Sequence, residues 1–259
     1  MARVPTGESV LDRAVRILEA FTSDATALQV SEIARRSGLH VATASRLIAV
    51  LIEHGLLTQD ADRRVRVGVR LWELASRASP TLTLREAAMP FMEDLHAIVG
   101  QHTQLGLLDG DEVLFVERLS APGAVINYTR IAGRLPLHAS SSGLVLLAFG
   151  THELQERILY RPLHAYTPKT ISTAAELRVQ LAEVRRQGYA LNAGHLHEDA
   201  CGIAVPIRGR DNSVVAALAV IVPNDANARL HVTALRSAAR GVGRQLMTEA
   251  APYERAAPA

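Results

Sequence analysis

Two short helical patterns, separated by a single glycine, constrain the N-terminal part of this chain more than any other feature does. Ser31 is placed to cap the first helix, and Glu32 falls in its first turn, where the helix dipole favours an anion. Gly38 tolerates the positive φ that the end of that helix requires. The spacing predicts a helix-turn-helix. Its apolar residues recur every three or four positions, as on one buried helical face, at Val30, Ile33, Ala34, Ala44, Leu47, Ile48 and Leu51.

The second of these helices has a polar, small-residue face that suits a grooved partner. We predict that residues 40–53 form a recognition helix in the major groove of double-stranded DNA, with Thr43, Ser45 and Arg46 nearest to the bases. Arginines beside the turn and in the segment that follows are expected to hold phosphates, because a guanidinium pairs well with that group. The remaining candidate DNA contacts are Arg35, Arg36, His40, Ala42, Arg63 and Arg64.

A predicted two-stranded wing distinguishes this interpretation from an ordinary helical hairpin with a solvated arginine face. Leu56 and Leu57 lead into its first strand, residues 60–62 form the turn, and residues 64–67 return. A new helical period follows and stops near Ser79 and Pro80. We therefore divide the chain into a winged helix-turn-helix domain (1–68), a linker helix (69–82), a second domain (83–251) and a disordered tail (252–259).

Charge and composition limit how such a protein binds DNA. Residues 1–80 carry 11 arginines and 9 acidic residues, whereas the remainder carries 17 basic and 17 acidic residues. DNA affinity must then come from locally placed arginines and from dimerisation. No apolar run is long enough to span a bilayer and the N-terminus has no signal-peptide core, so we expect a cytoplasmic protein without a membrane partner. The single cysteine, Cys201, excludes an intrachain disulfide and a cysteine-rich zinc module, and we predict no cofactor.

Helical and strand periods account for the rest of the chain. Ser9 and Asp12 form a capping box for a first helix, which is predicted to bury Leu11, Ala14, Val15 and Leu18. After a long helix that Pro90 either starts or kinks, strands are predicted at residues 103–108, 112–119, 125–131, 201–208 and 214–222. Helices are predicted at residues 142–149, 152–160, 174–187 and 229–247. Antiparallel hairpins dominate this irregular alternation, so the second domain is predicted to be α+β.

The chain also resembles a known family. Over residues 9–248 it is similar to IclR-family transcriptional regulators, through the segments SVLDRAVRILEAF, SEIARRSGL, SRLIAVLIEHGLL, GRLPLHASSSGLVLLA, RRQGYALN and GIAVPIRGRDNSVVAALAV. The resemblance implies a GAF/PAS-like α+β effector-binding domain with a curved antiparallel sheet, joined to the winged helix-turn-helix by the linker helix. It also implies a homodimer or a dimer of dimers, and ligand-controlled binding to a palindromic operator.

A run of serines at the start of a predicted helix is the candidate effector site. Residues 140–143 place hydroxyls and unpaired backbone amides at a helix N-terminus, where anions bind. The resemblance implies that Ser141 and Ser142 contact the carboxylate of a small effector, and that Asn192, Gly202 and Ala219 also belong to the pocket. The alternative is that the serines only cap the helix.

Departures from the family pattern indicate the size of the effector. A cysteine that the family often has at the position of Gly202 is found one residue earlier, at Cys201, and on a strand this shift turns the thiol to the opposite face. Small side chains at Gly202 and Ala219 enlarge the pocket. We therefore expect an effector bulkier than a two- or three-carbon acid, such as an aromatic carboxylate of a catabolic pathway.

Two rival functions use other side chains. The H-x-H-E-D segment projects two histidines to one side of an extended chain, as metal ligands do, so a metal sensor or a metal-dependent enzyme is an alternative. Its residues are His195, His197, Glu198 and Asp199, with His138 or His164 as the third ligand. A serine hydrolase built on residues 140–142 lacks the G-x-S-x-G elbow. We predict no catalytic residue and no metal site.

Overall fold

The chain forms two compact units, Met1–Pro80 and Thr81–Ala259. The structure, a computed structural model, describes residues 8–22, 24–77 and 79–249. The division lies two residues before the predicted start of the second domain at residue 83. The predicted disordered tail, residues 252–259, lies outside the described residues.

The first unit is a helix-turn-helix with a small wing. Its elements are α1 (Val10–Glu19), α2 (Val30–Ser37), α3 (Val41–Glu53), β1 (Leu57–Gln59), β2 (Val65–Val67) and α4 (Val69–Arg77). The capping box of Ser9 and Asp12 is complete at α1, and Gly38 ends α2 with a φ of +64°. Ser31 is not a cap, because α2 begins one residue before it and its N-cap residue is Gln29. The core of this first unit contains Ile17, Ile33, Ala34, Ala44, Ile48, Leu51, Leu57 and Val65.

The buried face predicted for α1 was wrong. Leu11 is 71% exposed and Val15 is 44% exposed, whereas Ile17 is fully buried. The reason is that α1 packs on α2 and α3 through its C-terminal half, so that Ile17 and Ala20 enter the core. Apolar periodicity identified the helix, but it also marked a face that this unit leaves uncovered.

The wing hairpin joins the helices through backbone hydrogen bonds. β1 and β2 pair antiparallel, with Leu57 opposite Val67. Leu28 adds a bridge, because its amide donates to the Val65 carbonyl at 3.0 Å and its carbonyl accepts from the Val65 amide at 2.7 Å. In the turn, the Asp60 carboxylate accepts from the backbone amides of Asp62 and Arg64. Arg63 takes the positive φ of 59° that this turn requires.

The second unit is a six-stranded antiparallel sheet between two helical layers. The strand order is β5-β4-β3-β8-β7-β6. The strands are β3 (His102–Asp109), β4 (Glu112–Ser120), β5 (Arg134–Pro136), β6 (Ala190–Ala193), β7 (Ala200–Arg208) and β8 (Val214–Pro223). The helices are α5 (Pro80–Val99), α6 (Ser141–Ala148), α7 (His152–Leu159), α8 (Ala174–Gln187), a 3-10 turn (Ala228–Leu230) and α9 (His231–Glu249).

The alternation of side chains along the strands separates the two cores of this unit. Cys201, Ile203 and Val205 of β7 pack with α5 and α9, whereas Ala204 faces the layer that contains α6 and α8. Gly202 lies on that second face, opposite to Cys201, as the one-residue shift predicts. The capping box of Thr173 and Glu176 starts α8, and Gly188 ends it. The α+β class is confirmed.

Two predicted elements differ in the structure. Residues 125–131 belong to no strand, and the short strands β5 and β6 occupy the sheet edges instead. The predicted linker helix ends earlier, since α4 stops at Arg77 and α5 starts at Pro80. Proline suits the first helical position, because its missing amide would have no partner there. Pro90 lies inside α5. No helix in the described part of the chain is long and apolar enough to cross a membrane.

Candidate DNA interface and effector cavity

The face of α3 opposite the core forms the candidate DNA interface. Ala44, Ile48 and Leu51 are buried, which leaves Ala42, Ser45 and Arg46 exposed and Thr43 half-buried on the other side of the helix. His40, the N-cap residue, is exposed and makes no capping bond through its side chain. The helix therefore presents small and polar groups with one guanidinium, a surface able to enter a groove.

Arginines of the first unit fall into two groups. Arg35 and Arg36 both pair with Glu32, at 2.6 Å and 2.7 Å, and Arg36 also donates to the Ala20 carbonyl at 3.2 Å. The two guanidinium groups lower the pKa of Glu32 to about 2. Arg36 thus ties α2 to the end of α1, and Arg35 remains 72% exposed beside it. Arg63 and Arg64 lie exposed at the tip of the wing, where a phosphate can reach them.

A partly open cavity in the second unit is lined by most of the predicted effector residues. Its floor is the sheet face formed by Gln104, Asn192, Gly202 and Ile221. The N-terminus of α6 lies at one end, and residues 126–129 and the bent segment 195–197 form the walls. The cavity has a volume of about 40 Å³.

Ser141, Asn192 and Gly202 meet at the α6 end of this cavity. Asn192 lies opposite Gly202 in the β6–β7 ladder, and its Nδ2 donates to the Ala139 carbonyl at 3.2 Å. A methyl group added at Gly202 would lie 2.9 Å from Ser141 Oγ, so glycine keeps this corner open. Asn192 is 4% exposed, and its Oδ1 has no hydrogen-bond partner among the described residues. The corner thus holds a buried acceptor that no described group satisfies.

Ser142 and Ala219 lie outside the cavity wall. Ser142 follows Ser141 by one helical residue, which turns its side chain away, and its buried Oγ lacks a described partner. Ala219 is fully buried between Gln104 and Ala204 on the same sheet face. Direct contact of these two side chains with an effector is therefore not supported by their position.

Helix capping and an open anion site coexist at the start of α6. The cap is Ser140, whose Oγ accepts from the Gly143 amide at 3.1 Å. The amides of Ser141 and Ser142, at the first two helical positions, remain without an intrahelical partner. A side chain at Gly143 would lie 2.4 Å from the Leu137 carbonyl oxygen, so the serine turn depends on this glycine.

Several cavity residues were not found from the sequence. Gln104 is 2% exposed, and its Oε1 accepts from Thr129 Oγ1 at 2.6 Å and from Asn127 Nδ2 at 3.3 Å. Val125 is held in the same way, since its amide donates to Gln101 Oε1 at 2.9 Å. These side-chain bonds replace the ladder that a strand at residues 125–131 would have had. The available signal was a glutamine directly before the apolar run of β3.

The histidines lie in and around the cavity without forming a metal site. His195 and His197 line its wall, and His138 donates from Nε2 to the His164 carbonyl at 3.0 Å. Burial lowers the pKa of both His138 and His195. No group of three His, Cys, Asp or Glu side chains comes together as a metal site within the described ranges. Burial also raises the pKa of Cys201 to about 11, which keeps this thiol protonated.

A helix-turn-helix with an exposed polar face, in one chain with an α+β unit that contains a small apolar cavity with polar groups at one end, defines a DNA-binding regulator with an effector domain. Comparison with protein families agrees: the IclR helix-turn-helix domain matches residues 10–61, and the domain described as bacterial transcriptional regulator IclR C-terminal matches residues 77–247. The chain belongs to the IclR family of transcriptional regulators, which are not enzymes.

Similar proteins match over most of their length. The HTH-type transcriptional regulator XynR of Escherichia coli is 33% identical over 219 residues, which cover 84% of this chain and 86% of XynR. The crystal structure of an IclR homolog from Microbacterium hydrocarbonoxydans, complexed with 4-hydroxybenzoate, is 45% identical with a TM-score of 0.90 and covers 93% of this chain and 100% of its own. An IclR transcriptional regulator from Alicyclobacillus acidocaldarius is 25% identical with a TM-score of 0.78, over 95% of this chain and 100% of its own.

Proposed function

We propose that this protein binds a palindromic operator as a dimer or a dimer of dimers, and that an aromatic carboxylate in the cavity controls this binding. The observation that carries the proposal is the N-terminus of α6 at the end of the cavity, where the buried amides of Ser141 and Ser142 have no intrahelical partner. A buried polar group without a partner is costly, so its presence favours a ligand that satisfies it.

The carboxylate is expected at the N-terminus of α6. The free amides of Ser141 and Ser142 point along the helix axis, and the helix dipole adds a partial positive charge there. No acidic side chain is among the residues that line the cavity. An anion therefore meets donors and a favourable potential at this end of the cavity.

The rest of the cavity suits an aromatic ring. Ile126, Leu135, Leu196 and Ile221 supply apolar wall, and Tyr128 adds a ring. The volume of about 40 Å³ is smaller than the roughly 150 Å³ of an engineered cavity that binds benzene in another protein. A ring therefore requires the wall to move, and residues 126–129, held by side-chain bonds to Gln104, are the segment best able to do so. The 4-hydroxybenzoate complex of the 45% identical relative supports the same ligand class.

An exposed apolar face in the first unit supports dimerisation. Val10 and Leu11 of α1 are 61% and 71% exposed, and Val69 and Trp72 of α4 are 71% and 68% exposed. Side chains of this size gain free energy when a partner removes them from water. Two copies related by a two-fold axis present two recognition helices, which a palindromic operator requires.

Effector control requires unequal affinity for two arrangements of the protein. A ligand that binds the DNA-competent arrangement and its alternative equally well shifts nothing. α4 leaves the wing and precedes the effector unit in the chain, so we assign the transmission of the change to it.

A ligand screen tests the proposal. The purified protein is heated with benzoate, 4-hydroxybenzoate, pyruvate or glyoxylate, and operator DNA binding is followed by fluorescence anisotropy with each acid. We expect the aromatic acids to raise the midpoint of unfolding and to change operator affinity, because a ligand stabilises the state that it binds. A response to the short acids alone would contradict the aromatic assignment, and specific operator binding that no acid alters would contradict effector control.

A further inference from the structure

The H-x-H-E-D segment places an imidazole in the wall of the effector cavity. His195 lines the cavity, and its Nδ1 is buried without a hydrogen-bond partner among the described residues. Among the described residues, no group of three metal-binding side chains forms around this segment, and the cap of α6 is Ser140, which makes no bond to it. Neither metal binding nor helix capping therefore explains the unpaired ring nitrogen of His195.

The backbone holds His195 in place. Thr170 Oγ1 donates to the His195 carbonyl at 2.5 Å, and Thr167 Oγ1 donates to the Gly194 carbonyl at 2.6 Å. Gly194 has a φ of +77°, which turns the chain directly before the histidine. Two hydroxyls and a glycine thus fix the backbone from which the imidazole enters the wall, as expected of a group that binds a ligand in one geometry.

His195 lies at the same end of the cavity as the α6 N-terminus. His138 is an electrostatic neighbour of His195, and it directly precedes Ala139, whose carbonyl accepts from Asn192. Asn192 in turn lies opposite Gly202, against Ser141. An anion bound at the free amides of α6 therefore has this imidazole nearby.

Burial and the charged and titratable neighbours of His195 disfavour its protonated form. Burial, together with His138 from the segment before α6 and Lys169 from the segment before α8, lowers its pKa. On its own segment, the Asp199 carboxylate is 90% exposed and lies 4.0 Å from the ring of His197, and Glu198 is exposed. No carboxylate contributes to the shift at His195.

We propose that His195 recognises the carboxylate of the effector as an imidazolium, so that effector binding takes up one proton. This proposal rests on the proposed function, because it places the carboxylate at the α6 end of the cavity. The imidazolium adds a full positive charge to this corner, to which the helix amides contribute only partial charges.

Linkage gives the sign of the pH dependence. A carboxylate beside His195 raises its pKa above the value in the empty cavity, so the complex binds more protons than the free protein. Effector affinity therefore rises as pH falls from the pKa of the complex to that of the empty cavity, by at most about tenfold per pH unit. A benzoate remains ionised over this range because carboxyl groups titrate near pH 4.

Calorimetry with matched ligands and variants tests the proposal. 4-Hydroxybenzoate, its neutral amide 4-hydroxybenzamide and pyruvate are titrated into the full-length protein between pH 6 and pH 8. Two buffers with different ionisation enthalpies report the protons taken up. His195→Gln keeps a hydrogen-bonding group without a charge, and His152→Gln removes an exposed histidine at the start of α7 as a control.

We expect proton uptake for each acid that binds, none for the amide, and an affinity that falls about tenfold or less per unit of rising pH. His195→Gln should lose both the uptake and the slope, whereas His152→Gln should retain both. Binding of 4-hydroxybenzoate without proton uptake would overturn the role of His195 and leave the proposed function standing. Proton-coupled binding of pyruvate alone would support His195 and overturn the aromatic effector. Absence of binding by both acids would overturn both proposals. Wild-type binding of an acid without proton uptake would overturn the role of His195 even if His195→Gln does not fold.

Discussion

The recognition face of α3 and the corner of the effector cavity are built in opposite ways. On α3, Ser45 and Arg46 stand in water, where an unpaired polar group costs little. At the cavity, Asn192 Oδ1 is buried without a described partner, and beside its wall Ser142 Oγ is too, where the same lack is costly. Changes on the exposed surface should therefore alter binding alone, whereas changes at the buried corner act on packing as well as on binding.

Gly143→Val is expected to have the largest effect. A side chain at this position would lie 2.4 Å and 2.5 Å from the backbone of Leu137, which has no room to yield. We expect the effector unit to lose about 3 kcal/mol or more of its free energy of unfolding, because overpacking against backbone cannot be relieved by a rotamer change. Hydrogen exchange resolved along the chain measures this, with protection lost in α6 and the sheet but kept in α2 and α3.

Gly202→Ala is the matched control, since its new methyl group would meet the side chains of Ser141 and Ile221 and no backbone atom. It should remain folded and bind an aromatic acid more weakly. Equal loss of protection in both variants, or loss that spreads to α2 and α3, would show that the serine turn is not the local weak point.

Arg46→Ala tests the exposed surface. We expect operator affinity to fall by about 1 to 3 kcal/mol if the guanidinium reads a guanine, with no change in the unfolding midpoint. Fluorescence anisotropy with operator DNA and a thermal melt measure the two quantities. Unchanged operator affinity would remove Arg46 from the interface.

Arg36→Ala provides the opposite case within the same unit. Arg36 donates to the Ala20 carbonyl and pairs with Glu32, so its loss should lower stability by about 1 kcal/mol and reduce operator affinity less than Arg46→Ala does. A larger loss of DNA affinity at Arg36 than at Arg46 would reverse our division of the arginines into structural and DNA-facing groups.

Local features of the fold were predictable from the sequence because their hydrogen bonds span few residues. The box of Thr173 and Glu176 and the glycine ends at Gly38 and Gly188 were read correctly, since partner and donor lie within four residues of each other. The helix-turn-helix and the family followed from such segments. The prediction of the buried face of α1 was wrong because periodicity identifies an apolar stripe but not the element that packs against it.

The cavity was only partly predictable because its contacts join distant residues. Asn192 and Ala139 are 53 positions apart in the sequence, and Gln104 and Thr129, which are hydrogen-bonded, are 25 positions apart. The family resemblance predicted five effector residues. Ser141, Asn192 and Gly202 line the cavity, whereas Ser142 and Ala219 are buried beside its wall. The wall at residues 126–129 depends on side chains of β3, so a strand pattern was assigned to a segment that makes no ladder.

Ser142→Ala tests the cost of an unsatisfied buried group. Because Ser142 Oγ has no described partner, removing it should leave stability unchanged or raise it by up to about 1 kcal/mol. The effector response of operator binding should weaken if the hydroxyl acquires a partner when the ligand binds. Thermal melts with and without 4-hydroxybenzoate measure both, and a destabilised free protein would show that the hydroxyl already has a partner.

The last prediction compares the same motif, the capping box, in the two units. Ser9 and Thr173 each accept an amide three residues on, and Asp12 and Glu176 accept the cap amide in return. Ser9→Ala and Thr173→Ala should each cost about 1 kcal/mol at pH 7, in whichever unit carries the change.

Hydrogen bonds from Ser9 and Thr173 lower the pKa of Asp12 and Glu176. A carboxylate with a lowered pKa stabilises the fold above its unfolded pKa, and this contribution disappears as pH falls through the folded value. The cost of each substitution should therefore shrink between pH 5 and pH 2. Denaturant unfolding at both pH values measures it, and a cost that is independent of pH would mean that the hydroxyl acts without its carboxylate partner.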